Sequence, residues 1–146
     1  MSFESLLAEG RLRRRKAGRA VILQLMTLAH RDLADAVVVG LSADRRFMIA
    51  YEAALNLAAI PMLSSGYETH GSGHHWVTFQ ALPHFMGKEH LPTATYFESC
   101  RVKRNVGTYD RGGEVSDSEA NELRAEATRF RSQVELWLRD KHPELF

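Results

Sequence analysis

The stretch SDSEANELRAEATRFRSQVELW, residues 116–137, decides the fold class. It opens with Ser116 and Glu119 in the S-x-x-E spacing of a capping box, in which each side chain bonds the backbone N–H of the other residue at a helix start. Apolar residues then recur every three or four positions, as the buried face of a helix requires. They are Ala120, Leu123, Ala127, Phe130, Val134 and Trp137. The pattern predicts a long amphipathic helix, and Pro143 ends it.

The same helical period continues through the chain before residue 116. One run of apolar positions extends from Ile22 to Gly40, and a second follows a break at Ser42–Asp44 that can cap a new helix. Gly66 is placed to end this second helix, because glycine readily adopts the left-handed conformation found there. Shorter helices are predicted at residues 76–86 and from Pro92 onward.

No segment has a convincing strand pattern, because the β-branched run Val37–Val39 falls inside a helical period. The sequence shows no repeat, linker or low-complexity segment. It therefore predicts one all-α domain over residues 1–146, folded as an antiparallel up-and-down bundle of four to five helices with short connections.

Composition narrows the functional classes. The 146 residues are 45% hydrophobic and 25% charged, which is typical of a globular protein. The net charge of +1 excludes a strongly basic protein of the kind that coats polyanions. The single cysteine, Cys100, cannot form an internal disulfide. The chain shows no signal-peptide pattern, and we expect no membrane-spanning segment. We predict a cytoplasmic protein that uses no cofactor.

Five of the seven histidines lie close together in the sequence: His70, His74, His75, His84 and His90. Neutral imidazoles bind zinc, copper and nickel, so a metal site is one interpretation. The spacing matches neither H-E-x-x-H nor a Cys/His pattern, and no cysteine lies nearby. We therefore favour an ordinary polar loop over residues 66–75, without a metal.

A basic run lies near the N-terminus and comprises Arg11, Arg13, Arg14, Arg15, Lys16 and Arg19. Such a run could follow a phosphate backbone. It could equally be a solvated face or a frayed terminal helix, because the charge of the whole chain is nearly balanced. The sequence leaves both interpretations open.

The segment RVKRNVGTYD, residues 101–110, combines cations with poor helix formers. Three cations near the end of a helix can complement its dipole. Asn105 and Gly107 disfavour a helix interior, however, and such local violations often mark functional sites. Arg104 and Tyr109 lie ~140° apart on an ideal helix. They can converge only if the helix loosens near Gly107 or if a second subunit supplies one of them.

The Arg104-Asn105-x-x-x-Tyr109 segment, followed by Asp110, a Gly-Gly turn and the capped final helix, resembles the HEPN domain (higher eukaryotes and prokaryotes nucleotide-binding). Two other pieces support the resemblance. They are R-F-x-x-A-Y-x-A at residues 46–53 and G-H-H-W-x-T-F at residues 73–79. The resemblance covers roughly residues 44–137.

The resemblance implies an all-α bundle that forms a homodimer. In active members an arginine, its polar neighbour and a later histidine line a cleft between subunits, and many are metal-independent ribonucleases of toxin–antitoxin or defence systems. Arg104 and Asn105 would be the first two residues, and Tyr109 stands where the histidine is expected. Arg101 and Lys103 would bind RNA or a nucleotide through their charge. A histidine from another helix, His74 or His75, would then supply the missing imidazole.

The replacement of histidine by Tyr109 leaves two functional classes open. A histidine with a pKa near ~6.5 moves protons at neutral pH, whereas a tyrosine near ~10 is a poor base. One class is a metal-independent endoribonuclease acting at the dimer cleft. The other is a non-catalytic module that binds a nucleotide or a partner, such as a nucleotidyltransferase-type or antitoxin protein. In a third interpretation Arg104 and Tyr109 only cap and pack a helix end.

Overall fold

The computed structural model describes residues 1–109 and 115–146, and only the backbone of residues 106–109. Helices dominate these residues, which confirms the all-α class apart from one small sheet. The elements are α1 Phe3–Ala8, β1 Leu12–Arg14, α2 Arg19–Asp35, α3 Ala43–Ser64, β2 Tyr67–Thr69, α4 His74–Met86, α5 Leu91–Tyr109 and α6 Asp117–Lys141. Short 3-10 turns lie between α4 and α5 at Lys88–His90 and after α6 at Pro143–Leu145.

Helix α3 is the centre of the fold, and α2, α4, α5 and α6 all pack on it. Its buried face is rich in alanine, which lets the neighbouring backbones approach closely. Within the described ranges, α3 alone is long and apolar enough to cross a membrane by length and composition. Its most apolar 18-residue window has a mean hydropathy of 1.4, but 61% of that window is buried inside the protein. Such burial is typical of a core helix.

A chain of aromatic rings joins the helices across the core. Tyr51 of α3 meets Phe79 of α4 edge-on, with ring centroids 6.0 Å apart. Phe79 in turn lies 5.8 Å from Phe97 of α5, and Phe97 lies 5.3 Å from Phe130 of α6. Each of these four side chains is at most 1% exposed. These ring contacts therefore determine which faces of α3, α4 and α5 pack against one another.

The start of α6 confirms the predicted capping box. Ser116 Oγ accepts from the backbone N–H of Glu119 at 3.1 Å, and Glu119 accepts from the backbone N–H of Ser116 at 3.0 Å. Arg46 of α3 donates to Asn121 at 2.8 Å and pairs with Asp117, which joins the two helices. The predicted apolar face is buried as far as Val134, but Trp137 is only partly buried and its neighbour Leu138 enters the core.

The expectation of no strand is wrong. Strands β1 and β2 pair antiparallel, with Leu12 opposite Thr69 and Arg14 opposite Tyr67. The basic run therefore forms part of a β-sheet rather than a frayed helix, and the predicted loop over residues 66–75 contains β2. Each strand has only three residues, too few for an alternating pattern to be recognised in the sequence. Packing of the sheet on α1 and α4 stabilises it instead.

Helix α2 ends earlier than predicted. Its last helical residue is Asp35 rather than a residue near Gly40. Ala36 is the last buried residue of this segment. The side chains that follow it, Val37, Val38 and Val39, are 51%, 52% and 98% exposed. The valines matched the helical period without facing the core. The antiparallel up-and-down order of the bundle stays a prediction.

A matched pair of substitutions in α6 tests the position of the core. Leu123 is fully buried, whereas Leu136 on the same helix is 68% exposed. We expect Leu123→Ala to lower the free energy of unfolding by about 3 kcal/mol or more, because it leaves a cavity. Leu136→Ala should change it by less than about 0.5 kcal/mol. Urea unfolding followed by circular dichroism measures both, and equal losses would contradict this packing.

Candidate functional site

Tyr51 organises the candidate site from the buried face of α3. Its side chain is fully buried, so its hydroxyl needs a partner inside the protein. That partner is Nδ1 of His75, in the first turn of α4, at 3.0 Å. The two rings lie 5.7 Å apart between centroids. A single core residue thus fixes the position of the imidazole.

Arg104 of α5 lies over the same ring. Its guanidinium carbon is 5.2 Å from the centroid of Tyr51, a cation–π contact. Among the described residues, the carboxylate of Glu52 lies 3.6 Å from Nη2, which is longer than a normal hydrogen bond. The Nε atom of Arg104 is buried without a hydrogen-bond partner among the residues that the structure describes. The side chain remains 24% exposed, so solvent still reaches it.

Burial and neighbouring charge set the protonation of this site. Burial, followed by the positive charge of Arg104, lowers the pKa of His75 below its ordinary value of about 6.5. The imidazole is therefore neutral at pH 7. Burial raises the pKa of Tyr51 well above its ordinary range, and the positive charge of Arg104 only partly opposes this. Tyr51 consequently stays a neutral phenol throughout the physiological pH range.

Arg101 belongs to the same cluster but is already paired. Its guanidinium donates two hydrogen bonds of 2.7 Å to Glu98, three residues earlier on α5. These bonds raise the pKa of Arg101, and its charge also lowers the pKa values of Tyr51 and His75. Arg101 therefore contributes positive charge near Arg104, while two of its five N–H donors are bonded to Glu98.

Two other predicted site residues, Lys103 and His74, have partners outside this cluster. Lys103 forms an ion pair of 3.2 Å with Glu119 of α6. His74 is exposed, and its Nδ1 lies 2.6 Å from the hydroxyl of Thr69 in β2. Asn105 is half-buried on α5. Tyr109 is the last residue of α5, and its side chain lies outside the described residues, as do Asp110 and the Gly-Gly turn.

The clustered histidines bond to separate parts of the fold. His70 contacts the carbonyl of Gly10 at 3.2 Å, and His84 contacts the carbonyl of Met1 at 2.9 Å. Residues 1–109 and 115–146 contain no group of three or more His, Cys, Asp or Glu side chains that could hold a metal ion. Nearness in sequence does not bring these imidazoles together in space.

The sequence missed Tyr51 and Glu52 as members of the site. Tyr51 occupies a core position of the helical period, where an aromatic residue normally has only a packing role. Its place in the R-F-x-x-A-Y-x-A piece at residues 46–53 was the one available signal. Its contacts with His75 and Arg104 depend on how three helices meet, which no local pattern encodes.

Comparison of the chain with protein-family models, with curated proteins and with solved structures finds no match.

The electrostatic effect of Arg104 on His75 is testable through the pKa of the imidazole. We expect Arg104→Gln to raise the pKa of His75, because removing the cation makes protonation easier, while burial still keeps it below about 6.5. A pH titration followed by NMR of the histidine rings measures this pKa. Arg129→Gln, at an exposed position of α6, is the control and should leave it unchanged.

The same shift has a consequence for stability. The pKa of His75 is lower in the folded than in the unfolded chain, so the unfolded chain binds more protons below about pH 6.5. The free energy of unfolding therefore decreases as the pH is lowered through this range. The Arg104→Gln protein should lose less of its unfolding free energy through this group. A pKa of His75 that does not respond to Arg104→Gln would contradict this electrostatic effect.

Proposed function

We propose that this protein is a HEPN-like helical bundle that engages RNA at Arg104 and cleaves it without a metal ion. The observation that carries the proposal is the common position of Arg104 and His75 on the ring of Tyr51. A phosphate-binding guanidinium and a neutral imidazole are two groups that can promote cleavage of a ribose phosphodiester.

Arg104 suits a phosphate because the described residues use few of its donors. A guanidinium can donate two parallel hydrogen bonds to phosphate oxygens and stabilise the charge that develops on them. The 3.6 Å contact with Glu52 is too long to compete strongly for these donors. A bound phosphodiester would replace this weak contact with charge-assisted hydrogen bonds.

His75 suits the role of general base because it is neutral. In the tautomer with its proton on Nδ1, the ring donates to the oxygen of Tyr51, and Nε2 keeps a lone pair. Nε2 would accept the proton of a ribose 2′-hydroxyl while that oxygen attacks phosphorus. The bond from phosphorus to the 5′-oxygen then breaks, leaving a 2′,3′-cyclic phosphate. The departing oxygen takes a proton from an acid, for which the sequence offers Tyr109.

The proposal includes a homodimer whose cleft contains the two copies of Arg104. The HEPN resemblance supports this arrangement. Val102, two residues from Arg104, is 51% exposed, and a second copy of the chain could cover it. In such a dimer Asn105 would bond a phosphate or a base edge, as the resemblance implies. A nucleotidyltransferase-type or antitoxin protein is the proposed kind of partner.

A second candidate is a non-catalytic module that holds a nucleotide or a partner through Arg104. The fixed position of His75 favours this candidate, because a half-buried imidazole bonded to a buried phenol also suits a purely structural role. The two candidates share the phosphate site. They differ in whether RNA is consumed.

Cleavage of RNA in the presence of EDTA distinguishes the candidates. We expect the purified protein to cut total RNA, and Arg104→Ala to slow cutting by roughly 100-fold or more because an electrostatic stabiliser is lost. His75→Gln should slow it by roughly 100-fold or more through loss of the base. Arg129→Ala, which removes an exposed arginine of α6, should cut normally.

Thermal unfolding of each variant shows whether a loss of activity reflects unfolding. Light scattering on the same samples should give the mass of two chains, and a monomeric active protein would remove the dimer from the proposal. Cutting that survives both Arg104→Ala and His75→Gln would refute the catalytic site. RNA that is bound but never cut would favour the non-catalytic module.

A further inference from the structure

The basic run is concentrated on the small sheet and is only partly neutralised. Six cations and no acidic residue fall within residues 11–19. Glu9 pairs with Arg11, and Glu68 pairs with both Arg13 and Arg15. Within the part of the chain that the structure describes, Arg14 and Lys16 are exposed and form no ion pair. The net charge of +1 therefore conceals a strongly positive local surface.

Two aromatic rings lie beside cations of this run. The guanidinium of Arg14 lies 5.4 Å from the ring of Tyr67 in β2, and that of Arg11 lies 5.1 Å from the ring of Trp76 in α4. Tyr67 and Trp76 are both partly exposed. Aromatic rings and guanidinium planes are surfaces on which unpaired bases stack, while neighbouring cations bind the phosphates.

A series of contacts links the sheet to the Arg104 site. The hydroxyl of Thr69, at the end of β2, lies 2.6 Å from Nδ1 of His74. The next residue, His75, contacts Tyr51, and the ring of Tyr51 contacts the guanidinium of Arg104. Arg11 also lies over the start of α4, since a Cβ added at Gly73 would be 3.8 Å from its Nη1. An RNA strand bound at Arg104 could therefore continue past His74 onto the sheet.

We propose that this basic surface, formed by Arg11, Arg14, Lys16, Tyr67 and Trp76, binds single-stranded RNA on one side of the phosphate held by Arg104. The inference rests on the proposed function for the identity of the ligand. Charge complementarity selects a polyanion, and the pairing of rings with guanidinium groups selects unpaired bases. The substrate class is thus an extended single strand rather than a mononucleotide.

A lipid surface fits these residues less well. A protein that inserts into an anionic membrane presents apolar side chains beside its cations. Leu12, the apolar residue of β1, is only 3% exposed and packs with Leu6 and Val77 inside the protein. The sheet consequently offers charge and planar groups, but its aliphatic residue points inward.

RNA length separates the two parts of the proposed site. Binding is measured by fluorescence anisotropy with 2′-O-methyl RNA, which cannot be cleaved, as a trinucleotide and as a strand of about 12 nucleotides. Arg14→Gln combined with Lys16→Gln should weaken binding of the long strand by roughly tenfold. It should also make the slope of log affinity against log salt less negative by about 1.4, for two lost phosphate contacts. Trinucleotide binding should not change.

The chain offers a closely matched control at its other end. Arg139 also lies over an aromatic ring, that of Phe146 at 4.4 Å, and Lys141 follows two residues later, as Lys16 follows Arg14. Arg139→Gln combined with Lys141→Gln removes the same charge and should leave both RNAs bound as before. Exchanging the cations instead, with Arg14→Lys and Lys16→Arg, should preserve most of the long-strand affinity if charge is what matters.

The outcomes are separable from those of the proposed function. Unchanged long-strand affinity in the Arg14 and Lys16 variant, or an equal loss in the Arg139 and Lys141 control, would overturn this inference. In either case a loss of trinucleotide binding in Arg104→Ala would still support the phosphate site. Sedimentation with phosphatidylserine vesicles that depends on Arg14 and Lys16 while RNA binding does not would also overturn it, in favour of a membrane surface.

Discussion

The burial of one phenol holds the candidate site together. Tyr51 lies in the core of the helical bundle with no exposed surface, and its hydroxyl is bonded to the imidazole of His75. The face of the same ring carries the guanidinium of Arg104. Because Tyr51 cannot move without disturbing the core, residues from α4 and α5 are held in fixed positions relative to each other.

The packing of the core explains why this arrangement is rigid. The ring of Tyr51 continues into the chain formed by Phe79, Phe97 and Phe130, which links α3 through α4 and α5 to α6. Close-packed aromatic side chains resist small displacements, because any shift opens voids or forces overlap. The site therefore depends on the same contacts that define the fold. The imidazole of His75 and the guanidinium of Arg104 lie at the margin of that core, where solvent reaches Arg104.

Local patterns predicted most of the helices but only part of the candidate site. The capping box at Ser116 and the cap at Ser42 depend on neighbouring residues, so the sequence encodes them directly. Arg104 and His75 were recognised as residue types suited to RNA chemistry. Their meeting through Tyr51 was not, because it depends on residues more than 20 positions apart. The strands failed for a related reason, since β1 and β2 are stabilised by packing and by each other rather than by their own residues.

The most direct test asks whether Arg104 and His75 face the same phosphate. A 2′-deoxy dinucleotide carries one phosphodiester and cannot be cleaved through a 2′-hydroxyl, so it can be titrated into the intact protein while NMR follows the Nε–H signal of Arg104 and the ring signals of His75. The account predicts that both sets of signals shift along one binding curve. Signals that stay in place, or an Nε–H of Arg104 that does not respond while the dinucleotide binds, would contradict it.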